Sequence, residues 1–116
     1  ALPYIQRGEL RPLAISTRTR MPYLPDLPTF IDGGVPDFEC YTWHMAMVPS
    51  GTPMPVVNAI NAAFNRALAV PTVQERLGQM LMNVTTDSTP ASAARFLASE
   101  MAKWTPVIRG AGIRPS

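Results

Sequence analysis

Cys40 and His44 are the only thiol and the only imidazole in the chain. They are the first place to look for covalent chemistry. Both lie in an apolar, aromatic-rich stretch that reads as a strand, four residues apart on one face. At ~3.3 Å per residue that spacing is about 13 Å. A thiolate–imidazole pair needs contact at about 3 Å, so the two do not form a nucleophile and its base. Cys40 reads as a small buried hydrophobe and His44 as a satisfied strand residue. One Cys and one His do not supply the four ligands of a structural zinc site. With a single His flanked by Trp43 and Met45, no hydrolytic triad can be drawn either. The sequence shows no catalytic residue, no metal site and no call for a cofactor, and the chain is not expected to be an enzyme.

Three weaker features remain. Pro49-Ser50-Gly51-Thr52-Pro53 lacks the lysine and the glycine spacing of a phosphate-binding loop, and reads as a capped helix start. Arg18 and Arg20 have the chemistry to clamp a carboxylate, although a solvated loop is the simpler reading. Tyr41, Trp43 and Tyr23 have aromatic bodies and polar tips, which suit a pocket wall and a core equally.

The chain has 116 residues, enough for one domain or part of one. Only 16% are charged, against a usual ~25%. Ten basic and eight acidic residues leave +2, and the nine arginines and one lysine are scattered. A nucleic-acid interface needs a basic patch or stripe, so no nucleic-acid partner is expected. One cysteine permits no internal disulfide. Apolar runs fall far short of the ~20 residues that span a bilayer. The sequence opens on Ala1, in what reads as the tail of a helix. The chain reads as a piece of a longer protein whose targeting segment lies elsewhere.

Thirteen prolines punctuate the elements. Ala1 to Gln6 reads as a helix end stopped by Gly8. Leu10 to Thr17 reads as a buried strand, weakened by Pro12. A loop with Pro22, Pro25 and Pro28 follows. Thr29 and Asp32 have capping-box spacing, and Gly33-Gly34 limits the helix they open to about one turn. Phe38 to Val48 is the best strand, bounded by Pro36 and Pro49, with Trp43 expected to be buried. Neither of its faces is polar, which suits a strand covered on both sides. Thr52 is placed as a cap and Pro53 as first residue of a helix that carries Val57, Ile60, Phe64 and Leu68 on one face. Pro71 starts a further helix with Val73 and Leu77. Asn83 to Thr86 reads as a short strand. Thr89-Pro90 opens the last helix, with Phe96 or Leu97, Met101, Trp104 and Ile108 at helical spacing. Pro106 inside it predicts a kink or an end near Thr105. This alternation reads as α/β, with helices on the faces of a mixed sheet.

Separated segments carry a family resemblance. Tyr4-Ile5-Gln6-Arg7-Gly8-Glu9-Leu10-Arg11-Pro12-Leu13-Ala14 resembles a "YI-x-x-G-K-L-R-x-L-A" stretch, and Leu24-Pro25-Asp26-Leu27-Pro28-Thr29 resembles "LPDVPT". Trp43 to Pro53 is similar to "W-x-G-L-x-A-P-A-G-T-P", with Ala46 at a position that is usually Gly. Glu100, Trp104 and Gly110-Ala111-Gly112-Ile113 resemble a closing "E-x-x-x-W … A-G-I", which Pro106 interrupts. In order and spacing these resemble the substrate-binding receptors of tripartite tricarboxylate transporters, the Bug family.

The resemblance implies part of a two-lobed, type II-like periplasmic binding protein, exported by a signal peptide not present here. Residues 1–41 would end the second lobe and carry the crossover, and residues 42–116 would form the C-terminal part of the first. The implied ligand is a small carboxylate: a di- or tricarboxylate, an acidic amino acid or an aromatic acid. Tyr41, Thr42, Trp43 and His44 would be its hinge-side contacts, most others lying upstream. The implied partners are the membrane components of the transporter. A rival reading is a stand-alone small α/β interaction domain without catalytic activity. The two differ in what they expose. A receptor piece leaves unpaired sheet edges and apolar faces that favour self-association, whereas a stand-alone domain covers them.

Overall fold

A computed structural model describes residues 2–113. Its helices are α1 (Leu2–Gln6), α2 (Met54–Leu68), α3 (Pro71–Gln79) and α4 (Pro90–Gly110). The chain divides into two compact units. One comprises the residues up to His44 together with Leu68–Val84, the other Met45–Ala67 together with the residues from Thr85 onward.

In the first unit, α1 stops as its glycine predicts. The Gly8 N–H donates to the Ile5 carbonyl and the Glu9 N–H to that of Tyr4, while Gly8 takes φ +74°. These two bonds close a Schellman end, whose left-handed residue glycine adopts without a Cβ penalty. The chain then passes through Ile15, which forms an isolated parallel bridge with Thr29. The Ile15 N–H donates to the Pro28 carbonyl at 2.9 Å, and the Phe30 N–H to that of Ile15 at 3.0 Å. Beside this bridge the Cys40 N–H donates to the Ser16 carbonyl at 3.0 Å, and the Ser16 hydroxyl donates to the Cys40 carbonyl. Thr29 and Asp32 form the expected reciprocal box. Asp32 N–H donates to Thr29 Oγ1 at 3.0 Å and Thr29 N–H to Asp32 Oδ2 at 3.1 Å. Only a turn follows, closed at Gly34 with φ +91°.

α3 opens on Pro71, whose missing N–H would have no helical partner at that position. It ends with the same pair of bonds as α1: Leu81 N–H to the Gly78 carbonyl and Met82 N–H to that of Leu77. Here a leucine occupies the left-handed position, at φ +60°. That geometry costs a side-chain-bearing residue about 1–2 kcal/mol. Buried residues of this unit include Leu2, Met21, Thr29 and Gly78.

In the second unit, α2 begins at Met54, one residue later than the spacing predicts. The Thr52 hydroxyl does not cap it. It donates instead to the Pro49 carbonyl at 2.8 Å and closes the preceding turn. The Pro53 carbonyl receives the first bonds, from Val56 and Val57. α4 is capped as expected by Thr89, with Ser92 returning the second bond of the box. It does not end near Thr105 but continues through Pro106 to Gly110. The proline removes one bond and crowds one carbonyl, at a cost of ~3 kcal/mol. Bonds on either side persist: Thr105 Oγ1 donates to the Met101 carbonyl at 2.6 Å and Ala111 N–H to that of Val107 at 3.0 Å.

The strands expected over 10–17, 38–48 and 83–86 do not form among the described residues, where the Ile15–Thr29 bridge is the extent of β pairing. Residues 38–48 carry no ladder. Trp43 is half-buried rather than buried, and Met47 is 65% exposed. The physical reason is that a strand is a paired state. Sequence supplies the apolar run, but a ladder needs a neighbour at about 4.8 Å. Beyond Cys40 none is assigned.

Candidate functional site

The expected ligand contacts Tyr41, Thr42, Trp43 and His44 follow directly on the Ser16–Cys40 anchor in the first unit. Ile15–Ser16 is tied on one side to Thr29 and on the other to Cys40. The four residues thus leave a fixed point as one stretch without helix or strand. Tyr41 is 40% exposed, Thr42 and His44 are exposed, and Trp43 is half-buried. An aromatic ledge of this kind can form one wall of a pocket. It does not enclose a ligand by itself.

Arg18 and Arg20 do not present a pair of open guanidinium groups. Arg18 Nε lies 3.1 Å from Glu39 Oε2. Arg20 binds Asp32 Oδ2 through Nε and Nη2, each at 3.1 Å, and its Nη1 donates to the Pro25 carbonyl. The Asp32 carboxyl is held below its ordinary value of 3.8. The main cause is the Thr29 backbone N–H. Lost solvation opposes it, and the Arg20 guanidinium adds to it. These arginines therefore hold internal carboxylates and brace the loop that precedes the Thr29 turn. Glu39, next to the anchor, ties Arg18 to the start of the aromatic stretch.

Tyr23, the third candidate aromatic, lies elsewhere. It lines a shallow depression of about 370 Å³ with Pro12, Leu24, Pro25, Asp26 and Leu27. Its lining is largely apolar, and its one charged side chain, the carboxylate of Asp26, repels an anion. Its ring also rests on Gly78 of α3: a Cβ built on that glycine would fall 2.1 Å from the Tyr23 hydroxyl oxygen. Among the described residues no group of three or more His, Cys, Asp or Glu is placed to hold a metal ion.

Two polar clusters in the second unit were not foreseen. Asn61 and Asn65 of α2 both donate to the Ser88 carbonyl, at 2.9 and 2.8 Å, and the Ser88 hydroxyl donates to Asn65 Oδ1 at 2.9 Å. The signal available was the i,i+4 spacing of two amides beside the apolar stripe. On α4 the Trp104 indole N–H donates to Glu100 Oε2 at 3.0 Å, and the Lys103 ammonium lies 5.4 Å from the Trp104 ring. This gives the spaced Glu100 and Trp104 a local structural reason. The α4 end does the same for the closing glycine: Gly112 takes φ +68° while Ile113 N–H bonds the Ile108 carbonyl.

Comparison with known proteins adds what the geometry alone does not. Residues 1–113 match the tripartite tricarboxylate transporter family receptor. A protein of the tcbD–tcbE intergenic region of Pseudomonas sp. strain P51 is 37% identical over 100 residues, covering 85% of this chain and 30% of that protein. BugT of Bordetella pertussis is 31% identical over 113 residues, covering 97% of this chain and 34% of that one. The solved periplasmic binding protein BugD matches with a TM-score of 0.80 at 31% identity, over 98% of this chain and 38% of that chain. The chain thus spans about a third of the length of these relatives.

Proposed function

The chain belongs to the tripartite tricarboxylate transporter receptor family, and on that premise we propose that it serves in a periplasmic solute-binding receptor that captures a small carboxylate for the transporter. The observation that carries this reading is the match to a solved periplasmic binding protein along 98% of the chain, at a TM-score of 0.80. The role is binding and delivery, without catalysis. Residues 1–41 are assigned to the end of the second lobe and its crossover, and residues 42–116 to the C-terminal part of the first. The mixed sheet flanked by helices is completed by the rest of the receptor, which also pairs the stretch around Trp43.

Tyr41, Thr42, Trp43 and His44 are assigned to the hinge-side wall of the ligand site. The partial exposure of Tyr41 and the fixed Ser16–Cys40 anchor support that role. Arg18 and Arg20 are engaged with Glu39 and Asp32 and are not assigned to the ligand site. Candidate solutes are di- and tricarboxylates, acidic amino acids and aromatic acids. The partners are the transporter's membrane components. The isolated chain self-associates through the apolar surface it exposes. Calorimetric titration of the full-length receptor with citrate, succinate, glutamate and benzoate tests the reading. One of these binds, and Trp43→Ala weakens it about 10-fold, a loss of ~1.4 kcal/mol. A receptor that binds none of them refutes the carboxylate assignment. An unchanged affinity in Trp43→Ala removes these four residues from the site.

A further inference from the structure

We propose that the Asp32–Gly33 bond is a site of spontaneous isomerisation to an isoaspartyl linkage, and that Thr29 restrains the reaction while the chain is folded. The proposal goes beyond the receptor reading and does not depend on it. The chain has four aspartates, and the other three precede Leu27, Phe38 and Ser88. No asparagine precedes a glycine. Ring closure at an aspartate needs the amide nitrogen of the next residue to reach the side-chain carboxyl carbon, and glycine has no Cβ to hinder that approach. The turn itself does not ask for glycine at position 33. Gly34 takes the left-handed φ of +91°, whereas Gly33 has no positive φ. A Cβ built on Gly33 meets nothing closer than the Phe30 carbonyl oxygen at 3.4 Å.

In the reaction the Gly33 nitrogen attacks Cγ of the protonated Asp32 carboxyl. The Cγ–N bond forms, and the carboxyl hydroxyl leaves with the amide proton as water. Water then adds to the Asp32 main-chain carbonyl of the five-membered imide and breaks its bond to nitrogen, so the main chain now runs through Cβ and Cγ. Water is the only co-reactant, and nothing is oxidised. The folded turn engages both reacting groups through one residue. The Gly33 N–H donates to the Thr29 carbonyl at 3.1 Å. The Thr29 N–H donates to Asp32 Oδ2 at 3.1 Å, and Arg20 holds the same oxygen through Nε and Nη2. Thr29 is only 2% exposed, which fixes this anchor. The same contacts hold the Asp32 carboxyl below its ordinary range and keep its reactive protonated form scarce. The Asp32 side chain is 43% exposed, so water reaches the bond once the turn opens. The product cannot rebuild the box, because its carboxylate sits directly on Cα, one carbon short of the Thr29 N–H. A chain that isomerises while open is therefore marked permanently.

The test ages the chain at neutral pH with and without guanidinium chloride and counts isoaspartate by methylation with a protein isoaspartyl methyltransferase. An aspartate-specific endoproteinase, which does not cut at isoaspartate, locates the change as an uncut fragment from Asp26 to Pro36. The expected result is isoaspartate at Asp32 that forms at least about 10-fold faster in denaturant, because the folded chain reacts only through its open population. Thr29→Val deletes the hydroxyl that accepts the Asp32 N–H, and this loss of a cap raises the rate in buffer about 5-fold without changing the rate in denaturant. Gly33→Ala slows the rate in denaturant at least about 5-fold, through the Cβ it adds. The wild-type comparison and the Gly33→Ala measurement need no variant to fold. The proposal is overturned if isoaspartate forms equally fast in both conditions, if the other aspartates isomerise as fast as Asp32, or if Gly33→Ala reacts like wild type in denaturant. A Thr29→Val chain that isomerises no faster than wild type in buffer removes the restraint assigned to Thr29.

Discussion

Replacing Gly78 by alanine reverses the usual sign of a glycine-to-alanine change in a helix. Alanine is favoured over glycine by up to about 1 kcal/mol within a helix. At Gly78, however, the new Cβ would fall 2.1 Å from the Tyr23 hydroxyl oxygen and 2.2 Å from Cε2 and Cζ of the same ring. No carbon tolerates those distances, so the ring must leave α3. Overpacking of this kind costs ~1–3 kcal/mol. Tyr23 is 43% exposed and has room to swing outward, which argues for the middle of that range. The expected net effect is a destabilisation of about 1 kcal/mol, as ~2 lost against ~1 gained. The assay is urea denaturation of the chain with Gly78→Ala, Tyr23→Ala and the double variant. Once the ring is gone the helix preference acts alone, so Gly78→Ala stabilises the Tyr23→Ala background by up to ~1 kcal/mol. The coupling between the two sites is then about 2 kcal/mol. Stabilisation of similar size in both backgrounds would refute the reasoning, because it would mean that the ring does not rest on the glycine.

Three other perturbations probe separate parts of the account. Gly34→Ala meets open space but must hold φ +91°, so it lowers stability by ~1–2 kcal/mol in thermal melts, whereas D-alanine at that position does not. Ser88→Ala leaves Asn65 Oδ1 without its hydroxyl donor and costs ~1 kcal/mol by denaturant titration; no change would show that the cluster is solvated. Asp32 has a folded-state carboxyl below its unfolded value of 3.8, so its contribution is present above that value and is lost as pH falls through the depressed folded one. The stability gap between wild type and Asp32→Asn should be flat near neutral pH and close only in acid, and a gap that is the same at all pH values would contradict the assignment.

What the sequence showed, and what it hid, divides by distance along the chain. The Gly8 stop, the Thr29–Asp32 box and the Thr89 cap are contacts over three to five residues, and all were legible. Thr52 was misread because its hydroxyl had a nearer acceptor in the Pro49 carbonyl. Of the α2 stripe, Val57, Ile60 and Leu68 lie on the part-buried side and Phe64 is 51% exposed, while Asn61 and Asn65 join that side through Ser88, a partner more than twenty residues away. Arg18 and Arg20 looked available for a carboxylate because Glu39 and Asp32 are 21 and 12 residues distant. The strand over 38–48 was read from its own composition, while a ladder depends on a second segment. The helices α2, α3 and α4 survive as single-segment objects with their own periodicity. The functional reading came from separated motifs in consistent order, and no constellation of reactive side chains would have supplied it.

The most direct test of the receptor reading compares this chain with the full-length receptor in the same calorimetric titration against citrate, succinate, glutamate and benzoate. A cleft pocket buries most of its ligand, ~70–90% of its surface, and the Tyr41–His44 stretch offers one wall. The account predicts micromolar binding of one of these acids by the full-length receptor and no measurable heat from the chain alone. Micromolar binding by the chain alone would contradict it, as would a full-length receptor that gives no heat with any of them.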